Sequence, residues 1–165
     1  MYICKPERSE KQTRILLFTC ILVTLTFFFL STVILKIGAF IRFCGIISLM
    51  ISILLVVRYS LTEFEYSVGE GVFAVTKIVG NKRTVVCRIA LETAIGLYSK
   101  RDYDHLPTEQ KGQIKYSLKQ NMFAESHVFL CNFNGKRTMV EFEPNLQFVA
   151  IVKDEIEKAL RDNAN

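Results

Sequence analysis

The sequence predicts two membrane-spanning helices followed by an all-β domain of seven antiparallel strands, with one helix at its C-terminal end. Three observations carry this. Residues 15–57 contain only two charges, Lys36 and Arg42. Beyond residue 58 the apolar residues alternate with polar ones, as they do along a half-buried strand. After Pro144 the spacing changes again, to three and four, which is the period of a helix. The chain therefore divides into a basic tail (1–14), a helical hairpin (15–57) and a folded domain (58–165).

Residues 15–35 are free of charge, and about 20 residues at 1.5 Å each cross a hydrocarbon core of about 30 Å. A second apolar run covers 39–57, with Arg42 near enough to its end to snorkel. A basic segment before an apolar run also resembles a signal peptide. Here the run is long, no small-x-small cleavage site follows, and a second span comes directly after it. The hydroxyls of Thr19, Thr24, Thr26, Ser31 and Thr32 in the first span are expected to bond their own helix carbonyls. Neither span contains Asp, Glu or His, the residues that mark proton relays and ion sites.

Lys5, Arg8, Lys11 and Arg14 precede the first span and Arg58 follows the second, against Lys36 and Arg42 at the turn. The positive-inside rule then predicts a multi-pass protein of the cell membrane with both termini in the cytoplasm. Of the net charge of +5, +4 belongs to the first 57 residues, and the remainder carries 15 Lys/Arg against 14 Asp/Glu. A near-neutral domain lacks the concentrated basic surface that nucleic acid requires. Cys4, Cys20, Cys44, Cys87 and Cys131 form no C-x-x-C pair, so they read as free thiols or small apolar residues.

Strands are expected at 63–68, at 72–79 and at 84–91, where Val85, Cys87, Ile89 and Leu91 share one face. Further strands are expected at 95–99, 114–118, 127–133 and 137–143. Gly69-Glu70-Gly71 and Asn134-Gly135 mark tight turns, and residues 100–113 are expected to form an exposed loop. A helix over 145–162 would carry Leu146, Val149, Val152, Ile156 and Leu160 on one stripe. Asn145 would cap its start.

The chain reads Y-S-V-G-E-G-V-F-A-V at 66–75, N-K-R-T-V-V-C-R-I-A-L at 81–91 and F-E-P-N-L-Q-F at 142–148. With these segments, the order of elements resembles the bacterial PH-like domains of small membrane proteins that have one or two helices ahead of the domain. The resemblance implies a PH-like barrel of seven antiparallel strands capped by a C-terminal helix, and a binding or scaffolding role. Phosphoinositide-binding PH domains place several Lys/Arg in the first turn, whereas here that turn is Gly69-Glu70-Gly71, short and acidic.

No catalytic, cofactor or metal site is expected. His127 and Cys131 lie about 13 Å apart along one strand, too far to share an ion, and no Ser or Cys stands beside an evident base. The residues that can meet anionic lipid or a partner are Lys111, Lys115 and Lys119, on one strand face, with Lys136 and Arg137 at a hairpin. Lysines on such a strand also protect it from pairing with other chains. The expected function is a non-enzymatic, membrane-anchored module whose domain engages a protein partner or another copy of itself. Contact with anionic lipid would be weak, and the short linker at 58–62 would hold the domain at the membrane face. The alternative is an accessory subunit of a membrane transporter or complex, in which the helices make the interaction.

Overall fold

An apolar stretch of the length found here forms helix because only helix satisfies every backbone group within one segment. The computed structural model describes residues 1–34 and 36–163, which fall into two units: Ser9–Thr62, and Met1–Arg8 together with the chain from Glu63 onward. The helical unit comprises α1 (Glu10–Val33) and α2 (Gly38–Val56), which continues into a π-helical segment at Val57–Leu61. The short linker at 58–62 is thus mostly helical. Two helices of 24 residues, Glu10–Val33 and Gly38–Leu61, are long and apolar enough to cross a membrane.

Ser9 caps α1 by accepting from the Gln12 amide at 3.5 Å. Within α1, Thr26 donates to Leu22 O (2.8 Å), Ser31 to Phe28 O (2.7 Å) and Thr32 to Phe29 O (2.7 Å), so these hydroxyls are spent on their own helix. Glycine allows the two helices to approach. A Cβ on Gly38 would lie 2.7 Å from the Ser31 carbonyl oxygen, and one on Gly45 would lie 3.3 Å from Phe27 Cβ. The opposite surfaces are apolar and open: Phe18, Phe29, Phe40 and Leu54 are each more than 65% exposed. Water penalises such a surface and lipid does not.

The second unit contains eight strands, where seven were expected: β1 (Tyr2–Cys4), β2 (Thr62–Gly69), β3 (Val72–Val79), β4 (Lys82–Ala90), β5 (Ala94–Ser99), β6 (Ile114–Ser117), β7 (His127–Phe133) and β8 (Lys136–Phe142). They form two four-stranded sheets, ordered β1-β2-β3-β4 and β5-β7-β8-β6, in place of a closed seven-stranded barrel. Nor are all neighbours antiparallel. The link from β6 to β7 carries the chain past β8, so β6 lies parallel to β8, with Ile114 opposite Thr138 and Ser117 opposite Glu141. The unexpected strand comes from the basic tail: Tyr2 pairs with Val68, Ile3 with Ser67 and Cys4 with Tyr66. Three residues are too few to show a period.

Alternation fails in β4 for a definite reason. Val75 pairs with Cys87 but Thr76 pairs with Val85, which leaves Val86 as an extra residue. A one-residue bulge turns the preceding side chains over. Val85 therefore leaves the face of Cys87 and Ile89 and lies with Val72, Ala74 and Thr76 on the outer side, 60% exposed. The β7–β8 hairpin needs no such adjustment. Asn134 and Gly135 both have positive φ (50° and 73°), the geometry for which Asn-Gly is favoured.

The core lies between the sheets. Phe73 stacks on Phe129 at 5.0 Å and meets Phe142 at 5.1 Å, and Tyr66 meets Phe142 edge-on at 5.3 Å. Helix α4 (Leu146–Asp162) covers this cluster with Phe148, Val152 and Ile156. Val149, Val152 and Ile156 are buried as expected, but the ends of the stripe differ: Phe148 is 3% exposed, whereas Leu146, in the first turn, is 85% exposed and Leu160 is 44% exposed. Asn145 accepts from the Phe148 amide at 2.7 Å, as its position as cap requires. Replacing Asn145 with alanine should cost about 1 kcal/mol, and Leu146→Ala should cost less than about 0.5 kcal/mol. Thermal unfolding of the two variants checks this, and a larger loss from Leu146→Ala would contradict the observed helix face.

Residues 100–113, expected to be a loop, include α3 (Lys100–His105) and a 3-10 turn at Thr108–Gln110. Tyr103, 2% exposed, packs with Val128, Leu130 and Met139 in a second small core. Its hydroxyl accepts from the Gly112 amide at 2.8 Å. Gly112 cannot be enlarged, because a Cβ there would lie 2.7 Å from Met139 Cβ.

Candidate functional site

The five cations expected at a contact surface do not share one setting. Lys115 is exposed on β6, opposite Met139 in register. Lys119 forms an ion pair with Glu141 at 3.3 Å, and Lys111 donates to the Asp104 carbonyl at 2.8 Å. Arg137 donates to the Glu109 carbonyl at 2.7 Å, and Lys136 is exposed at the start of β8. Lys111, Lys119 and Arg137 are therefore tied to nearby backbone or carboxylate, and the five do not form one clamp.

A polar groove of about 500 Å³ opens beside Glu141, lined by Ser99, Arg101, Lys119, Ser126 and His127 among others. Ser126 donates to Glu141 Oε1 at 2.7 Å, on the oxygen that Lys119 also meets. With an ammonium and a hydroxyl on the same oxygen, Glu141 is a satisfied carboxylate and a poor general base for the serine. Burial lowers the His127 pKa, so the imidazole stays neutral at and above the usual histidine range. Unfolded histidine binds its proton first as pH falls. The contribution of neutral His127 to stability is therefore present above the ordinary histidine pKa and is lost as pH falls from there through the lowered folded value. Among the described residues, no three or more His, Cys, Asp or Glu gather as a metal site.

A different recess lies where β4 faces the other sheet. Val86, Cys87 and Ile89 of β4, Tyr116 of β6, Cys131 and Phe133 of β7, and Val140 of β8 line an apolar mouth of about 130 Å³. Sequence reasoning missed it because the bulge decides which β4 residues turn inward. Its one signal was Val85-Val86-Cys87, three apolar residues in a row in a strand expected to alternate.

Burial raises the pKa of both Cys87 and Cys131 to about 11. These thiols are protonated at neutral pH and are weak nucleophiles. Maleimide at pH 8 should modify them far more slowly than in denaturant, by a factor of about 100 for the two-unit difference from a free thiol. Equal rates would mean that the mouth is open enough to ionise them. The raised value also has a stability consequence: between pH 9 and 11 the unfolded thiols lose protons that the folded ones keep, so stability falls as pH rises through that window.

An apolar helical hairpin joined at both ends to one unit of two four-stranded sheets, with a C-terminal helix over their core, defines a PH-like domain with helices inserted near its N-terminus. The chain matches the Bacterial PH-like domain family (DUF6106) over residues 2–161 and belongs to that family. No curated protein and no solved structure matches it.

Proposed function

We infer that this chain is a non-enzymatic, membrane-anchored binding module, its PH-like domain held at the cytoplasmic face of the membrane to engage a protein partner or another copy of itself. One observation supports it most. Residues 1–8, before the hairpin, fold into the same unit as the residues after it. Lys5 meets Glu63 at 2.7 Å, Arg8 meets Glu63 at 3.4 Å, and Asn121 donates to the Glu7 carbonyl at 2.8 Å. A hairpin that leaves and re-enters one folded unit crosses a bilayer twice, and the basic residues at its ends favour the cytoplasm for that unit. The protonated thiols and the satisfied Glu141 support a non-catalytic role.

Labelling with an impermeant thiol reagent in intact cells tests the topology. Cys4 is only 5% exposed and Gly112 accepts no side chain, so neither position serves as a reporter. Lys36→Cys, in the turn between the helices, should label from outside, and Lys115→Cys, on β6, should not. The reverse pattern would invert the assignment.

A second reading, an accessory subunit that acts through its helices, is supported by a cleft along the hairpin. It measures about 450 Å³, and its lining mixes the small residues Thr19, Cys20, Cys44, Ser48 and Ser52 with larger apolar ones such as Phe27, a surface on which side chains of a neighbouring helix can pack. Pull-down from detergent separates the two readings. A partner retained by the hairpin alone favours the subunit, and one that requires the domain favours the binding module.

A further inference from the structure

We propose that the open edge of β4 is a docking strand for an extended, acidic segment of a partner protein, which pairs with this edge and places an apolar side chain in the mouth between the sheets. The proposal rests on the binding-module reading and names its surface and the chemistry of its partner. β4 is the last strand of its sheet and, at nine residues, the longest in the domain. Backbone groups on its outer side face no further strand, which makes the edge a template for pairing. A strand added there alternates its side chains between the outer face of the sheet and the space between the sheets. That inner space is the recess of about 130 Å³, room for a single aliphatic side chain. Its rim is apolar and uncovered: Val86, Tyr116 and Phe133 are 42%, 50% and 48% exposed.

Charge selects the occupant. β4 carries Lys82, Arg83 and Arg88 and no carboxylate. Arg83 meets Glu65 at 3.7 Å, and Lys136 adds a further exposed cation beside Phe133, its partner in register. Two copies paired through β4 would bring six cations together with no acid on either strand. An acidic segment instead meets unlike charge at each of these positions. Charges and a bulge on an edge commonly keep other strands away. In β4 the bulge shifts the register by one residue between Val85 and Cys87 and leaves Val86 on the wall of the recess. A like-charged strand is repelled, and an acidic one is not.

The test uses the full chain in detergent micelles and three fluorescent synthetic peptides: one alternating leucine with glutamate, one alternating leucine with lysine, and the glutamate peptide with proline at every second leucine. The glutamate peptide should bind and should slow amide exchange across residues 82–90. The lysine and proline peptides should not. The double variant Lys82→Glu/Arg88→Glu should weaken binding by about tenfold or more, as reversal of two facing charges does, with unchanged thermal unfolding. Equal binding of the lysine peptide, protection confined to another segment, or no saturable binding of the glutamate peptide would each overturn the proposal. Self-association of the chain that the double variant alters would assign the edge to a second copy instead. If the protein captured in the pull-down crosslinks outside β4, the docking strand is wrong and the binding-module reading stands.

Discussion

Phe73→Ala should lower the stability of the domain by about 3–5 kcal/mol, the loss expected when a fully buried aromatic ring is removed from a packed core. Phe73 is 0% exposed and touches both Phe129 and Phe142, so its ring joins the two sheets across their shared interior. Neither neighbour can close the gap, because each is itself fully buried and held by its own strand. Phe133→Ala should cost less than about 1 kcal/mol, since Phe133 is 48% exposed at the rim of the recess. Chemical denaturation of both variants, followed by near-ultraviolet circular dichroism, distinguishes the two sites. A similar loss at both would mean that the aromatic cluster between the sheets is not the main core.

The second large effect concerns the first eight residues. A fragment beginning at Ser60 should fold, because β2 to β8 and α4 retain the aromatic core. It should nevertheless be less stable by about 3 kcal/mol than the same fragment with residues 1–8 joined through a flexible linker in place of the hairpin. Without them Cys4 leaves the core, β2 loses its neighbour at Tyr66–Val68, and Glu63 loses both Lys5 and Arg8. The Asn121 side chain also loses the Glu7 carbonyl, while its bond to Glu143 at 2.7 Å remains. Equal unfolding midpoints for the two fragments would show that β1 adds nothing and that the tail is merely carried along.

The ion pair at Glu63 gives a milder check on the same contact. Its pKa is lowered, chiefly by the hydrogen bond from Lys5 and then by the charges of Lys5 and Arg8. A lowered carboxyl pKa contributes stability above the unfolded value, and that contribution disappears as pH falls through the folded one. The pair is largely solvated, so the loss is small beside that from removing the strand.

What sequence reasoning recovered follows from periods long enough to be counted. The uncharged runs, the alternation of β2 and β3, the Asn134-Gly135 turn and the spacing of Val149, Val152 and Ile156 each repeat over several residues or depend on a local backbone preference. The hairpin, the existence of most strands, the capping by Asn145 and the PH-like family were legible for this reason. β1 was not: Tyr2-Ile3-Cys4 is too short to alternate, and it becomes a strand only because the edge of β2 is available to it. The candidate cations were found by spacing alone, and spacing does not reveal that Lys119 faces Glu141 or that Arg137 faces Glu109.

Local chemistry therefore determined which segments are helix, strand or turn, and that two of them suit a bilayer. Tertiary structure decided how the strands divide. The path past β8 made β6 parallel, and packing against Phe73 and Phe142 chose Phe148 over Leu146 as the buried start of α4. The bulge at Val86 has the same character. One residue without a partner reverses the faces of β4 to its N-terminal side, and a register is a property of two strands together, so neither strand's own sequence contains it.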